Sequence, residues 1–352
     1  MHKAPFLAND ADNQVQCMKI QHSLSPVITM ALLLAGCANS PNVFAPKGPA
    51  AAEIARLGWL LVGLGAGVFL LVMGLLLYAI FRRRHADTDA ADGRRTPPSP
   101  AANRWVMIGG VVFPTVILAI ILFFTITTLR ALSAREPVAD LTVEVIGRQW
   151  WWEVHYPNQQ IVTANEIHIP VGQPVRMVLK AGDVIHSFWV PDLHGKLDMI
   201  PGQENEFWLQ ADHAGEYWGE CTEFCGLQHA KMNFVVVAEQ PDEFSRWLER
   251  ERQPAVAPTD PLLQQGQALF LDSTCAYCHA IQGTAAVGTL GPDLTHLASR
   301  RTLAAGAVRN TPGHLAGWIV DPQHIKPGNL MPASHYSGPE LQALLAYLLS
   351  LQ

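Results

Sequence analysis

Two long stretches without a charged residue limit what this chain can fold into. LGWLLVGLGAGVFLLVMGLLLYAI spans residues 57–80, and WVMIGGVVFPTVILAIILFFTITTL spans 105–129. Each exceeds the roughly 20 residues a helix needs to cross the hydrocarbon of a bilayer. Soluble core helices of that length without a single charge are rare, so both read as transmembrane helices, bounded at 57–81 and 105–131. The segment between them, 82–104, reads RRRHADTDAADGRRTPPSPAANR. Its arginines place it on the cytoplasmic side of the bilayer by the positive-inside rule, and both ends of the chain then face outward. With 49% hydrophobic and only 15% charged residues, the 352-residue chain is too apolar for one soluble domain. Its formal charge of −6 argues against a nucleic-acid partner.

From Met18 the N-terminus reads MKIQHSLSPVITMALLLAGC. A basic residue, an apolar stretch and a small-residue end are the layout of a secretory signal. The closing L-A-G-C resembles a bacterial lipoprotein signal, which implies that 1–36 are removed and that Cys37 is lipidated on the outer face. Residues 37–56 then lead into the first helix. On this reading translation starts at Met1 or at Met18, and an ordinary cleaved signal or a short apolar anchor is the alternative.

The texture changes after Arg130. LTVEVIGRQWWWEVHYP, EIHIPVGQPVRMVLKA, IHSFWVPDL and MNFVVVAEQP are short β-rich runs broken by Pro, Gly and Asn. No helical period competes, so 132–248 reads as a small β-sandwich or Greek-key barrel.

Inside that domain, GECTEFCGLQHAKM occupies 219–232. Cys221, Cys225, His229 and Met232 supply thiolate, imidazole and thioether, soft donors that together suit copper. Zinc is the alternative, although it favours Cys and His without Met and closer cysteine pairs. A helical stripe of core residues has the same spacing but is rarely Cys, Cys, His. A single blue-copper centre needs one cysteine, so the second points to a dinuclear site that needs another histidine. His186, in I-H-S-F-W-V at the end of a strand, is the best donor, and His194 is its nearest competitor.

H-S-F together with C-x-E-x-C-x-x-x-H-x-x-M, preceded by two apolar helices and Q-W-W-W, resembles subunit II of haem–copper cytochrome c oxidase over residues 50–240. That resemblance implies the dinuclear copper centre called CuA. Cys221 and Cys225 would bridge both coppers. His186 and Met232 would complete one, and His229 and the Glu223 carbonyl the other. It also lends the Glu223 carboxylate to a magnesium ion at the boundary with subunit I, makes Trp150 the point where electrons arrive from a cytochrome c, and places Asp198 near the docking face. Packing in the sandwich or at the membrane surface is the plainer reading of the tryptophans. This sequence departs from the family at A-A-N-R-W-V before the second helix, which lacks the carboxylate often found near the mouth of a proton channel. It also departs at Gln203 after I-P-G, where many relatives carry arginine.

Residues 249–262, which include RQPAVAPTDPL, are proline-rich and read as a semi-stiff linker. C-A-Y-C-H then matches the c-type haem attachment signature, with Cys275 and Cys278 forming thioethers and His279 the proximal iron ligand. G-P-D-L-T (291–295) and N-L-M-P (329–332) fit a small class I cytochrome c over 263–352. Met331, the only methionine after residue 260, is the natural sixth ligand. His296, His314, His324 and His335 offer the rival bis-histidine arrangement. ELQALLAYLLSLQ has the apolar spacing of a helix that packs on the first cytochrome helix.

The expectation is therefore a multidomain membrane protein: a two-helix transmembrane hairpin, an all-β cupredoxin-like sandwich and an all-α cytochrome c domain. Its resemblance is to oxidase subunit II of the caa3 type, in a bacterial inner membrane with the copper and cytochrome domains on the periplasmic or outer face. The implied partners are subunit I, other oxidase subunits and an upstream cytochrome c or other donor. An electron-accepting CuA subunit of a nitric-oxide reductase complex is the alternative. A nitrous-oxide reductase would need many more histidines, a copper-storage protein would need neither haem nor the tryptophan run, and quinol-oxidase subunit II lacks the copper ligands.

Overall fold

The computed structural model describes residues 41–86, 100–133 and 140–352. The expected signal segment, Cys37 and the middle of the cytoplasmic loop lie outside the described residues.

Helix α1 (Pro49–Ala86) extends past both ends of the expected 57–81 span, and over that span it is apolar all round, as expected of a segment solvated by lipid rather than by a protein core. The second apolar segment is helical from Pro100 to Ser133, in two α-helical parts, α2 (Pro100–Met107) and α3 (Phe113–Ser133). Between them, Ile108–Val112 is wound more loosely as a π-helical turn, and the Phe113 N–H reaches back to the Ile108 carbonyl. Pro114 explains it. Its ring cannot sit against the carbonyl four residues earlier in a regular α-helix, and Gly109 and Gly110 leave the backbone room to widen.

The stretch before α1 is tied to the domain that follows. Lys47 donates its N–H to the Asp192 carbonyl at 2.7 Å, Ala51 to Leu193 at 3.1 Å, and Asp212 to Lys47 at 2.8 Å. The first turn of α1 is therefore anchored to the β domain.

That domain is a sandwich of two five-stranded sheets. The strands are β1 (Thr142–Arg148), β2 (Trp151–Tyr156), β3 (Ile161–Ala164), β4 (Glu166–Pro170), β5 (Val175–Ala181), β6 (His186–Trp189), β7 (Leu197–Met199), β8 (Asn205–Leu209), β9 (Gly215–Cys221) and β10 (Asn233–Glu239). One sheet runs β3-β2-β1-β5-β8 and the other β4-β10-β9-β6-β7. The β1–β5 and β4–β10 pairs are parallel, and the remaining pairs are antiparallel. Alternation in T-V-E-V-I-G-R buries Val143 and Val145 and turns Thr142 and Glu144 outward. At the centre, the fully buried Trp152 ring meets Phe234 at 4.9 Å and Phe188 at 5.9 Å, edge to face.

Helix α4 (Pro241–Glu251) follows β10, inside the span expected to be all-β. P-D-E-F-S-R-W-L-E-R-E is too short and polar to announce itself by apolar period. A capping box between Gln240 and Glu243 starts it, and Phe244 and Trp247 bury its inner face on the sandwich. Because α4 continues to Glu251, the chain leaves helical structure at Arg252, not at 249.

The C-terminal domain comprises α5 (Pro261–Leu271), α6 (Cys275–Cys278), the short strands β11 (Thr302–Leu303) and β12 (Val308–Arg309), α7 (Pro312–Val320), α8 (Pro322–Ile325) and α9 (Gly338–Leu349). Asp260 caps α5, and a Ser337–Glu340 box caps α9. As the terminal apolar spacing implied, α9 packs on α5, burying Phe270, Leu344, Tyr347 and Leu348.

The expected spacer does not separate these two domains. The Ala255 N–H donates to Gln282, and the Glu251 carbonyl accepts from His296 at 3.2 Å. Farther along the contact, the Asn233 N–H donates to the Ala305 carbonyl at 3.0 Å, and Arg301 bridges Glu166 and Glu216. Composition identifies a proline-rich stretch but not where residues remote in sequence will meet.

Behind Arg301, Glu166 faces His168, whose Nδ1 lies 3.1 Å from Glu239 and whose ring stacks on Trp247 at 4.2 Å. Burial alone would raise the Glu166 pKa, but His168 and Arg301 hold it below the ordinary value. Burial alone would lower His168, but Glu166 and Glu239 raise it. The Glu166 contribution is present above about pH 4.3 and is lost as pH falls through its lowered value. The His168 contribution is complete below about pH 6.5 and is lost as pH rises through its raised value. Wild type should therefore exceed His168→Gln in stability by about 2 kcal/mol near pH 5.5. Melting curves across pH should show that gap closing on the alkaline side; a constant gap would contradict the assignment.

Candidate metal and haem sites

β9 ends at Cys221, β10 begins just after Met232, and the intervening loop is pinned where the Cys221 N–H donates to the Met232 carbonyl at 3.0 Å. His186 opens β6, which pairs with β9 beside Cys221. These elements bring six donors together. Cys221 Sγ and Cys225 Sγ are 3.7 Å apart, well beyond disulfide length. His186 Nδ1 is 3.9 Å from Cys221 Sγ, and the Glu223 carbonyl is 3.2 Å from it. His229 Nδ1 is 3.6 Å and Met232 Sδ 3.8 Å from Cys225 Sγ. Cys221, Cys225, His186 and Met232 are all buried. Two thiols, two imidazoles, a thioether and a carbonyl converging in a pocket that is buried around the sulfurs and half-exposed at His229 and Glu223 fit soft metal ions, copper above all.

His194, the competing histidine, points elsewhere: its Nδ1 meets the Gly195 carbonyl and its ring lies on Phe207. Asp198 is half-exposed and pairs with Lys196. Gln203 sits in a tight turn, its N–H on the Ile200 carbonyl.

The ligand shell is oriented by residues that motif reading passed over. Asp183 Oδ1 lies 2.8 Å from His186 Nε2, so that nitrogen donates its proton to the carboxylate and the Nδ1 lone pair faces the sulfurs. Burial opposes charge on His186, but Asp183 and Cys221 raise its pKa. Gly147 in β1 clears the same ring, since a Cβ there would stand 2.9 Å from it. The two thiols share their proton unequally. Hydrogen bonding from Cys225 pulls Cys221 well below the usual thiol range, and the charge so formed pushes Cys225 up. The Cys225 carbonyl accepts two bonds, from Gln149 Nε2 at 2.7 Å and from Trp150 Nε1 at 3.0 Å. Asp183 in G-D-V-I-H was the legible signal here, a carboxylate three residues ahead of a candidate ligand.

Within β2 the strand period turns Trp152 into the core and Trp151 outward, under the Arg148 guanidinium at 6.0 Å. Trp150 lies before the strand, in the β1–β2 turn, and packs half-buried against the edge of the core.

In the C-terminal domain a cavity of about 310 Å³ is lined by Cys275, Cys278, His279 and Met331 together with apolar residues of α5, α7 and α9. His279 Nδ1 donates to the Pro292 carbonyl at 2.8 Å, leaving Nε2 for a metal, and burial lowers its pKa toward the neutral form that ligates. Gly291 gives the ring its room, since a Cβ would come within 2.6 Å. None of His296, His314, His324 and His335 lines this cavity. Arg300 does; it is buried, and its Nε has no partner among the described residues. An orphaned guanidinium N–H beside two cysteines and a histidine suits the carboxylates of a covalently held haem. The wall opposite is supplied by the copper domain, through Gln149, Trp150 and Trp151.

A family model described as cytochrome c oxidase subunit II, periplasmic domain, matches residues 158–239, and a cytochrome c model matches 263–352. Cytochrome c oxidase subunit 2 of Alkalihalophilus pseudofirmus is 36% identical over 337 residues, which cover 93% of this chain and 96% of that one. Its counterpart in Bacillus sp. (strain PS3) is 31% identical over 350 residues, covering 92% and 95%. Among solved structures, the periplasmic domain of subunit II of cytochrome oxidase of Bradyrhizobium japonicum is 33% identical, with a TM-score of 0.33, and covers 34% of this chain and 97% of that one.

Asp183→Asn should weaken copper binding about 10–100-fold, because the imidazole loses the acceptor that orients it. Titration against a competing chelator measures this; unchanged affinity would remove Asp183 from the shell.

Proposed function

This chain belongs to the cytochrome c oxidase subunit II family, and on that premise we propose that it takes electrons in through its own c-type haem and delivers them, through a dinuclear copper centre, to subunit I of a haem–copper oxidase, where oxygen is reduced to water with proton translocation. The chain is a relay, and the oxygen chemistry belongs to its partner.

Trp150 carries the reading. It borders the haem cavity on one side and is hydrogen-bonded to the carbonyl of Cys225 on the other. A single side chain thus connects the two candidate cofactor sites. When bound, the copper pair and the haem supply one-electron redox chemistry with little change of coordination.

Every other part belongs to the protein. Cys221, Cys225, His186, Met232, His229 and the Glu223 carbonyl would together hold the copper pair, the two thiolates supplying its soft, electron-sharing ligands. Six protein donors leave no position open for a substrate. Asp183 fixes the His186 tautomer, and Gln149 and Trp150 hold the Cys225 backbone, so the cage keeps its shape when its charge changes. Burial excludes water from the sulfurs. Cys275 and Cys278 would attach the haem, His279 and Met331 would ligate its iron, and Arg300 would meet a carboxylate. The exposed Leu290 and Leu330 stand at the cavity mouth and would face an incoming cytochrome c or other donor.

The two apolar helices anchor the chain, by this reading in a bacterial inner membrane with both cofactor domains outside. The Glu223 carboxylate would take the magnesium ion at the subunit I boundary, and Cys37 the lipid.

EPR of the full chain, haem-matured and copper-loaded in detergent, tests the proposal. The expected spectrum shows hyperfine structure from one electron shared by two copper nuclei, and Cys225→Ser should abolish that sharing. A single localised copper in the wild type, or zinc in its place, would overturn it.

A further inference from the structure

Lys326 is the least expected residue of the cytochrome domain. It is 2% exposed, yet no carboxylate is paired with it. Its ammonium donates instead to three backbone carbonyls from three separate segments: Trp150 at 2.6 Å, Lys231 at 2.7 Å and Ala304 at 2.9 Å. Trp150 is the residue between the two cofactor sites. Lys231 lies in the copper loop, between His229 and Met232. Ala304 belongs to the cytochrome domain. Three N–H groups meet three acceptors, which is the full donor capacity of a lysine. Burial pulls its pKa down to about 7, while the three oxygens favour the charged form that can serve them all.

A second, independent feature converges on the same place. Ala304 and Ala305 have φ of 53° and 57°, and Gly306 follows at 80°. Alanine avoids the left-handed region because its Cβ crowds the following carbonyl, so two in succession persist only where surroundings over-determine them. The contacts of this turn are those surroundings. The Ala304 carbonyl takes the Lys326 ammonium, and the Ala305 carbonyl takes the Asn233 N–H at the start of β10. On the far side of Lys326, Gln228 Nε2 donates to the Pro327 carbonyl at 2.7 Å and Lys231 Nζ to the Ile325 carbonyl at 2.6 Å.

We propose that Lys326, with the left-handed turn 304–306, is a positioning residue that locks the cytochrome domain onto Trp150 and the copper-ligand loop, so that the spacing between haem and copper is set by a fixed contact and not by a diffusing tether. The inference rests on the electron route proposed above. Lys326 and Ala304 border the haem cavity without being among its expected ligands, and Lys326 acts on the copper side through the backbone of Trp150 and of the loop.

The test uses the full chain assembled in its oxidase, as wild type, Lys326→Met and Lys326→Gln. Hydrogen exchange reads the lock itself: the Asn233 amide should exchange at least about tenfold faster in Lys326→Met. Passage of an electron from photoreduced haem to copper should slow at least about tenfold and become viscosity-dependent, because domain motion would then gate it. The copper EPR spectrum should stay as in the wild type; because Lys326 borders the haem cavity, a haem spectrum altered in Lys326→Met passes the decision to Lys326→Gln. Lys326→Gln, with two donors left, should fall between, and it decides by the same criteria should Lys326→Met fail to assemble. Exchange and rate within about twofold of wild type, with spectra intact, would overturn the lock. A wild type that passes no electron from haem to copper would sink the route instead, while the exchange data still judge the lock.

Discussion

Two sulfur atoms held 3.7 Å apart, on Cys221 and Cys225, are the constraint to which the rest of the copper domain answers. Two thiolates at that distance repel unless metal charge lies between them, so the loop cannot depend on the sulfurs to keep its shape. It depends on neutral contacts around them. The Cys221–Met232 backbone bond closes its two ends, and the Cys225 carbonyl is held by Gln149 and Trp150 from the β1–β2 connection. His186 is oriented from the opposite direction by Asp183 and is given its space by Gly147. Backbone bonds and the side chains that orient the ligands thus organise the soft donors before any metal is considered, as a site that must change charge without changing geometry requires.

The same carbonyl explains why the cytochrome domain sits where it does. Trp150 can serve as a bridge only if something packs on its outer side, and a lone tryptophan projecting from a sandwich would otherwise be wet. The cytochrome domain supplies that packing, with Gly328 approaching the Trp150 ring closely enough that a Cβ there would stand 3.8 Å from it. One aromatic side chain therefore belongs structurally to both domains, and its indole N–H and its backbone carbonyl are claimed from opposite sides.

What the sequence made legible was chemistry carried by local spacing. C-x-E-x-C-x-x-x-H-x-x-M named five of the donors, because a loop between two strands keeps them neighbours in space as well as in sequence. His186 was found from farther away by its I-H-S-F-W-V context, although that reading put it at the end of a strand and it opens β6 instead. Cys275, Cys278, His279 and Met331 were legible in the same way. The unreadable part lies in pairs that only the assembled fold brings together. Lys326 meets Trp150 across 176 positions, and Glu166 meets Arg301 across 135. A lysine in H-I-K-P-G looks like any solvated cation. Arg300 likewise carried no signal, since its role depends on a cavity that exists only after α5, α7 and α9 have packed. The short helix α4 was missed because its identity lies in a cap and two buried aromatics, too few apolar positions to form a period.

These long-range contacts also show why the linkage between the domains matters. They are hydrogen bonds and ion pairs, several half-exposed, and such contacts between separate proteins would form a short-lived encounter, since each must displace water before it is made. The connection through 252–260 changes the problem. It converts association into an intramolecular step at an effective concentration of roughly millimolar, without adding any contact. What a tether cannot supply is orientation, because a flexible connection samples many poses of similar energy. Orientation has to come from groups that are satisfied in only one pose. A buried ammonium whose three acceptors come from three segments meets that condition, since a closed but shifted pose would leave the charge dry and its partners unpaired. Concentration from the covalent chain and uniqueness from one buried charge are therefore separate contributions, and neither replaces the other.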